Sequence, residues 1–359
     1  MDKLKLTEYN EAQFSSIGYP CNMAYDYGDL YESFKYHFNN VGNPYDSSIY
    51  RINTKDEERR VLAFFEDLWG FDSNNVWGYI TSSGTEGNLQ ALFIARQLYP
   101  NAIAYTSEAT HYSIPKICKI LNLPLYTVKS QDNGEMDYKD FERLLIMNKD
   151  KPIIVNANLG TTMLGATDNT REIYRIICKH NKQKEYYMHA DGALMGFVLP
   201  FIEKDLFFKK CLHSISISGH KFLGIPFPCG IFMMEKRLFD IVNNHVEIIG
   251  SSDCTISGSR NGHSALFYDY IIKEKGKKGF ESDIIECIDK AEYMINCMNK
   301  YDIDAWRNQN SLTVVFNKPS NNVVHKWQLA SQASLSHAVV LPHVSKRKIN
   351  TFIRDMRLI

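Results

Sequence analysis

Between Trp77 and Met234, short runs rich in β-branched and aromatic residues alternate with longer runs whose apolar positions recur three and four residues apart. The short runs predict strands at 78–81, 102–106, 125–128, 152–156, 186–190, 214–218 and 230–233. The longer ones predict helices at 86–98, 113–121, 138–147 and 170–179. Strands separated by helices build a mostly parallel sheet, so the expected fold is α/β: seven strands with helices on both faces. After about Gly262 the pattern changes. Ile284, Ile288, Ala291, Ile295 and Met298 are spaced alternately by four and three and predict a long helix, followed by strands at 312–316 and 338–341 and a closing helix at 346–356. The chain is thus expected to divide into an N-terminal wrapping segment (1–55), a large domain (56–262) and a small C-terminal α+β domain (263–359).

Composition narrows the function classes. The 359 residues carry 41 basic and 41 acidic side chains, and a formal net charge of +0 supplies no electrostatic footprint for nucleic acid or an anionic membrane. No apolar stretch follows the charges of the N-terminus, and the longest apolar region, near 192–202, falls short of the ~18 residues of a spanning helix. A cytoplasmic protein without nucleic-acid or membrane partners is expected. The eight cysteines form no CxxC pair and no cluster at zinc spacing, so neither disulfides nor a metal is expected.

Candidate chemistry gathers where predicted strands end. Ser218-Gly219-His220-Lys221 places a lysine at the carboxyl end of a buried strand, where an amine can be desolvated, lose its proton and attack an aldehyde. Alone, such a lysine is more often a surface residue; its company changes the balance. Thirty residues upstream, His189-Ala190-Asp191-Gly192-Ala193 ends another strand in a carboxylate followed by small residues, as the ring nitrogen of pyridoxal phosphate requires if the ring is to act as an electron sink. The turn Ser83-Gly84-Thr85-Glu86-Gly87-Asn88 leads from a strand into a helix, so its amides and hydroxyls favour an anion. His111 follows a further strand and can stack on a flat ring, and Thr161 lies in Asn158-Leu159-Gly160-Thr161-Thr162 at the same sheet edge. That edge is where open α/β sheets bind ligands.

These motifs, with Trp77-Gly78-Tyr79-Ile80-Thr81, Pro226-Phe227-Pro228-Cys229-Gly230 and Gly258-Ser259-Arg260-Asn261-Gly262-His263, resemble the group II amino acid decarboxylases of pyridoxal-phosphate (PLP) fold type I. The likeness is greatest to their bacterial histidine- and plant serine-decarboxylating members and runs from about Gly18 to the C-terminus. It implies a PLP-transferase fold in which Lys221 carries the cofactor as an imine and Asp191 pairs with the ring nitrogen. It further implies that His111 stacks on the ring opposite Ala193, that Gly84, Thr85, Ser218 and His220 hold the phosphate, with Ser83 also among the cofactor-binding residues, and that Thr161 lies near the phenolic oxygen. Lys221, His111 and Asp191 are then the catalytic set, and a homodimer with shared active sites is implied.

The expected reaction is decarboxylation of an amino acid, histidine to histamine first and serine to ethanolamine as the alternative. Tyr19 and Tyr25, with Tyr45, are candidates for the substrate pocket. One departure stands out: family members carry a proton-donating tyrosine in the loop after the lysine, and Ile248 occupies its place. An isoleucine donates no proton, so His245, His111 or Lys221 must act instead, or the reaction ends in an aldehyde. A non-catalytic dimeric binding module is the remaining alternative, and an aminotransferase would need Arg307 as its carboxylate clamp.

Overall fold

The computed structural model describes residues 3–72, 74–180, 182, 185–203 and 211–357. Its centre is a seven-stranded sheet of β1 (Val76–Thr81), β2 (Ile103–Ser107), β3 (Leu125–Val128), β4 (Ile153–Asn158), β5 (Tyr186–Asp191), β6 (Ser214–Ser218) and β7 (Gly230–Glu235), in the spatial order β1-β7-β6-β5-β4-β2-β3. All neighbouring pairs are parallel except those made by β7, which runs against both β6 and β1. Each of the seven predicted strands is present, most gaining a residue or two at one end. Their near-continuous burial follows from helices covering both faces.

Two of these strands are polar on one face although buried. In β6 the alternation Ser214, Ser216, Ser218 against Ile215, Ile217 sends hydroxyls to one side and apolar groups to the other. In β5, Tyr187, His189 and Asp191 share a face, while Tyr186, Met188 and Ala190 join the apolar cluster opposite. The register sets Asn158, Asp191 and Ser216 side by side across β4, β5 and β6, at the carboxyl edge of the sheet.

Ten helices are present among the described residues: α1 (Lys3–Ser15), α2 (Lys55–Trp69), α3 (Gly84–Leu98), α4 (Ser113–Ile120), α5 (Tyr138–Met147), α6 (Thr170–Lys179), α7 (Met195–Ile202), α8 (Gly262–Asn299), α9 (Asn321–Lys326) and α10 (Lys346–Arg357). Helix α3 packs on β5, β6 and β7. That approach depends on Gly87, where a Cβ would sit 2.7 Å from Cβ of Ser216. Helix α7 was hidden in the apolar run near 192–202, which has no polar stripe to reveal a period. Helix α1 was hidden for the opposite reason, most of its described side chains being exposed.

The predicted long helix is the second part of α8, whose φ/ψ leave the helical region at Gly276 (φ 57, ψ 174). Residues from Ala265 to Cys287 join the cluster under the large sheet, and Ala291, Met294, Ile295 and Met298 join a separate one. The latter lies beneath a four-stranded antiparallel sheet of β10 (Ala305–Trp306), β11 (Thr313–Asn317), β12 (Ala330–Gln332) and β13 (Leu335–Val339), while β8 (Asn244–Val246) and β9 (Ser251–Asp253) form a separate two-stranded ladder ahead of α8. Between α1 and α2 the chain runs over the large sheet's loops. Asn22 N–H donates to Lys221 O at 2.9 Å, and the Tyr27 hydroxyl donates to Leu223 O.

Candidate active site

A cavity of about 400 Å³ opens at the carboxyl edge of the large sheet, against one face of the small one. Three walls are built by the turns after β1 (Ser83, Gly84, Thr85), β2 (His111, Tyr112) and β4 (Asn158, Thr161, Thr162). Asp191, Ala193, Ser218, His220 and Lys221 supply a fourth side, and Gly18–Pro20 with Thr313, Ala330, His337 and Val339 close it. Every residue expected from the sequence to touch the cofactor lines this cavity.

The turn into α3 is shaped for an anion. Ser83 caps the helix, its hydroxyl oxygen accepting Glu86 N–H at 3.3 Å, while the Glu86 carboxylate accepts Ser82 N–H at 2.9 Å. The amides of Gly84 and Thr85 belong to the first turn, where the helix supplies no acceptor. Gly84 is required here by a close approach: a Cβ would lie 2.7 Å from the Ser218 hydroxyl. His220 is anchored across the turn, its Nδ1 3.1 Å from Cys229 O, and burial pushes its pKa down.

Lys221 is in a place that disfavours its charge. Burial lowers the pKa of its amine, and the Asp191 carboxylate opposes that shift from nearby. Asp191 is buried, with Oδ1 accepting Ala193 N–H at 3.3 Å and Oδ2 accepting the Asn88 amide at 2.9 Å. His111 has Nδ1 2.8 Å from the Ser113 hydroxyl and 3.3 Å from Ser113 N–H. An amide N–H can only donate, so Nδ1 accepts and the ring proton is on Nε2. Burial lowers the His111 pKa, which favours this neutral form. The Thr161 hydroxyl oxygen accepts Ala166 N–H at 3.0 Å, leaving its hydrogen for an acceptor in the cavity.

Tyr19 lines the mouth of the cavity and is 62% exposed. Other expectations are not met. Tyr25 does not line the cavity: its hydroxyl donates to Asp283 at 2.7 Å and its ring packs near Phe280. Tyr45 is likewise elsewhere, beside Glu66. Arg307 is held by Glu292 and by the carbonyls of Asn308 and Ser311 outside the cavity, so it forms no carboxylate clamp of the aminotransferase kind there. Ile248 sits in a turn between two short strands, 81% exposed, and neither it nor His245 lines the cavity.

Among the lining residues not singled out from the sequence are Asn88, Asn158 and His337. Asn158 donates to Asp168, whose own carboxyl is pushed up to about 6 by burial, and accepts the Thr110 hydroxyl at 2.8 Å. His337 has Nδ1 3.0 Å from Met163 O and Nε2 3.2 Å from Gly18 O, and its neutral imidazole donates to one of the two. The signal available for Asn88 was a polar residue one turn into α3, on the side that must face the sheet.

The donor set fits PLP. Gly84, Thr85, Ser218 and His220 can hold the phosphate at a helix N-terminus, Asp191 can meet the ring nitrogen, and a desolvated lysine can carry the aldehyde. Fold and cavity together define an enzyme of the pyridoxal-phosphate fold type I class. Within that class the chain belongs to the pyridoxal-dependent decarboxylase family, whose conserved domain matches residues 78–317. It is 39% identical to the histidine decarboxylase of Vibrio anguillarum over 99% of this chain and 94% of that one. It is 41% identical to serine decarboxylase 3 of Oryza sativa subsp. japonica over 95% of this chain and 77% of the relative. In fold it matches the L-methionine decarboxylase of Streptomyces sp. 590, with a TM-score of 0.87 at 24% identity over 99% and 96% of the two chains. The protein is a PLP-dependent carboxy-lyase acting on an amino acid.

Proposed function

We propose that the enzyme decarboxylates L-histidine to histamine, with Lys221 as the lysine that carries the cofactor. The observation that carries the assignment is the meeting of Lys221 and Asp191 in one cavity with the N-terminus of α3. Histidine is favoured over serine because the match to the Vibrio histidine decarboxylase spans nearly both whole chains.

When bound, PLP supplies the electron sink that accepts the pair left by departing carbon dioxide. The protein's own part is positional and electrostatic. Lys221, with its pKa lowered, offers a neutral amine for the aldehyde and afterwards a base or acid at its Nζ. Asp191 would offer the ring nitrogen an acceptor, and His111 would present a neutral imidazole with Nε2–H available. Among the described lining residues Lys221 is the sole lysine and there is no arginine, so this chain's own wall offers the substrate carboxylate no guanidinium. A carboxylate left poorly solvated is the one more readily lost. We read the protein as a homodimer, its cavity mouth bordered by exposed rings such as Tyr19 and Tyr112.

The test is to incubate purified holoenzyme with L-histidine and, separately, L-serine, and to measure carbon dioxide, amine and aldehyde. Histamine release is expected from wild type and none from Lys221→Ala, whose folded protein also loses hydride-trapped label at that position. Ethanolamine alone would transfer the assignment to serine, and aldehyde in place of amine would trace to Ile248. Light scattering at micromolar concentration reads the dimer.

A further inference from the structure

Asn88 stands at the junction of two hydrogen-bond chains that end on the two groups facing the cofactor ring. Its Oδ1 accepts the Ser216 hydroxyl and, at 2.9 Å, His189 Nε2–H. His189 is fully buried, and its Nδ1 lies 2.8 Å from the Ser214 hydroxyl, itself 2.8 Å from the Tyr187 hydroxyl. With its oxygen so occupied, the amide nitrogen must turn the other way. One of its hydrogens goes to Asp191 Oδ2 at 2.9 Å, the other towards the Ser113 hydroxyl at 3.4 Å. Ser113 in turn donates to His111 Nδ1.

Every donor in the first chain points the same way: Tyr187 to Ser214, Ser214 to His189, His189 to Asn88, Asn88 to Asp191. The direction holds only while His189 is neutral. Burial supports this by pushing its pKa down to about 4. Asp191 therefore receives hydrogen bonds on both oxygens from the protein and meets the cavity as an acceptor. Along the second chain, His111 is held with its proton on Nε2.

We propose that Asn88 is a positioning residue that sets the polarity of Asp191 and, through Ser113, supports the tautomer of His111, and by these means governs the protonation of the cofactor ring. The inference rests on the assignment of Asp191 and His111 as ring partners. It makes the polar faces of β5 and β6 part of the catalytic apparatus, although none of Tyr187, His189 or Ser214 lines the cavity.

The test uses holoenzyme reconstituted with PLP labelled with nitrogen-15 in the ring, in wild type, Asn88→Ala and Ser113→Ala. For Asn88→Ala the ring-nitrogen resonance is expected to move towards the unprotonated position. Cofactor affinity should weaken and kcat fall about 10- to 100-fold, the range for loss of a partner that orients a ligand, with KM little changed. Ser113→Ala removes one hydroxyl and cuts only the branch to His111; it should leave the resonance in place and shift the pH profile of kcat. An Asn88→Ala enzyme with the wild-type resonance and pH profile, losing only thermal stability, overturns the proposal. Should Asn88→Ala not fold, an unchanged pH profile in Ser113→Ala overturns it. A wild type that binds no labelled cofactor fails the site assignment instead.

Discussion

Arg260 lies in the stretch Gly258 to His263, a marker of the family resemblance whose physical role the structure supplies. Its guanidinium is ion-paired with Glu58 and donates to Gly42 O at 2.9 Å and Ile80 O at 3.3 Å, with both side chains almost fully buried. Glu58 also accepts Ile80 N–H and the Asn40 amide, each at 2.8 Å. One ion pair thus fastens the N-terminal segment, α2 and β1 to the start of α8. Arg260→Met strands a buried carboxylate and should lower the free energy of unfolding by about 3–5 kcal/mol, read from urea midpoints at unchanged m-value. Single residues show best what the sequence hides. Lys221, Asp191, His111 and Gly84 were legible because each follows a strand at the edge where ligands bind. Asn88 and His337 were not, because a polar residue inside an element looks like any other until its partners, as much as 319 positions away, are known. Tyr25 misled for the converse reason: aromatic residues in an aperiodic segment do not show which way they face.

At the scale of elements, prediction was closest where a hydrophobic period of two or 3.6 had a polar counterpart, as in α5 and α6, whose predicted bounds coincide with those observed; α2, where Val61, Leu62, Phe65 and Trp69 repeat in the same way, was missed. The alternation in β6 carried a further message. Ser214, Ser216 and Ser218 lie on one side of a strand buried on both, and that side faces α3 and holds the network under Asp191. A polar stripe on a central strand of a covered sheet marks a functional layer, since buried hydroxyls must find partners. The seating of α3 on this layer is testable. Gly87→Ala places a methyl 2.7 Å from Cβ of Ser216, and the helix must give way. The expected cost is about 1–3 kcal/mol of stability, with weaker retention of PLP on dialysis because Gly84 and Thr85 move with the helix.

For the whole molecule, buried histidines govern the response to acid. Burial pushes His189 and His343 down to about 4 and His213 to about 3, against about 6.5 in the unfolded chain. Between these limits the unfolded state binds more protons, so stability falls as pH drops below about 6.5. Asp168, raised to about 6, works in the opposite sense over part of that window and offsets one of the three. For these four groups the balance is about two protons, or roughly 2–3 kcal/mol lost per pH unit between pH 6 and 5. Denaturant midpoints at pH 7, 6 and 5 check this, and replacing His213 by Asn should flatten the slope by about one proton.

The cavity has walls drawn from residues 18–20 and from residues as late as 330–339. It cannot exist on a nascent chain: until the small sheet has emerged from the ribosome, Gly18 O lacks the partner that His337 provides. Vitamin capture is thereby deferred to the finished polypeptide, and a message truncated before β13 yields a protein with Lys221 present and one side of its pocket open to water.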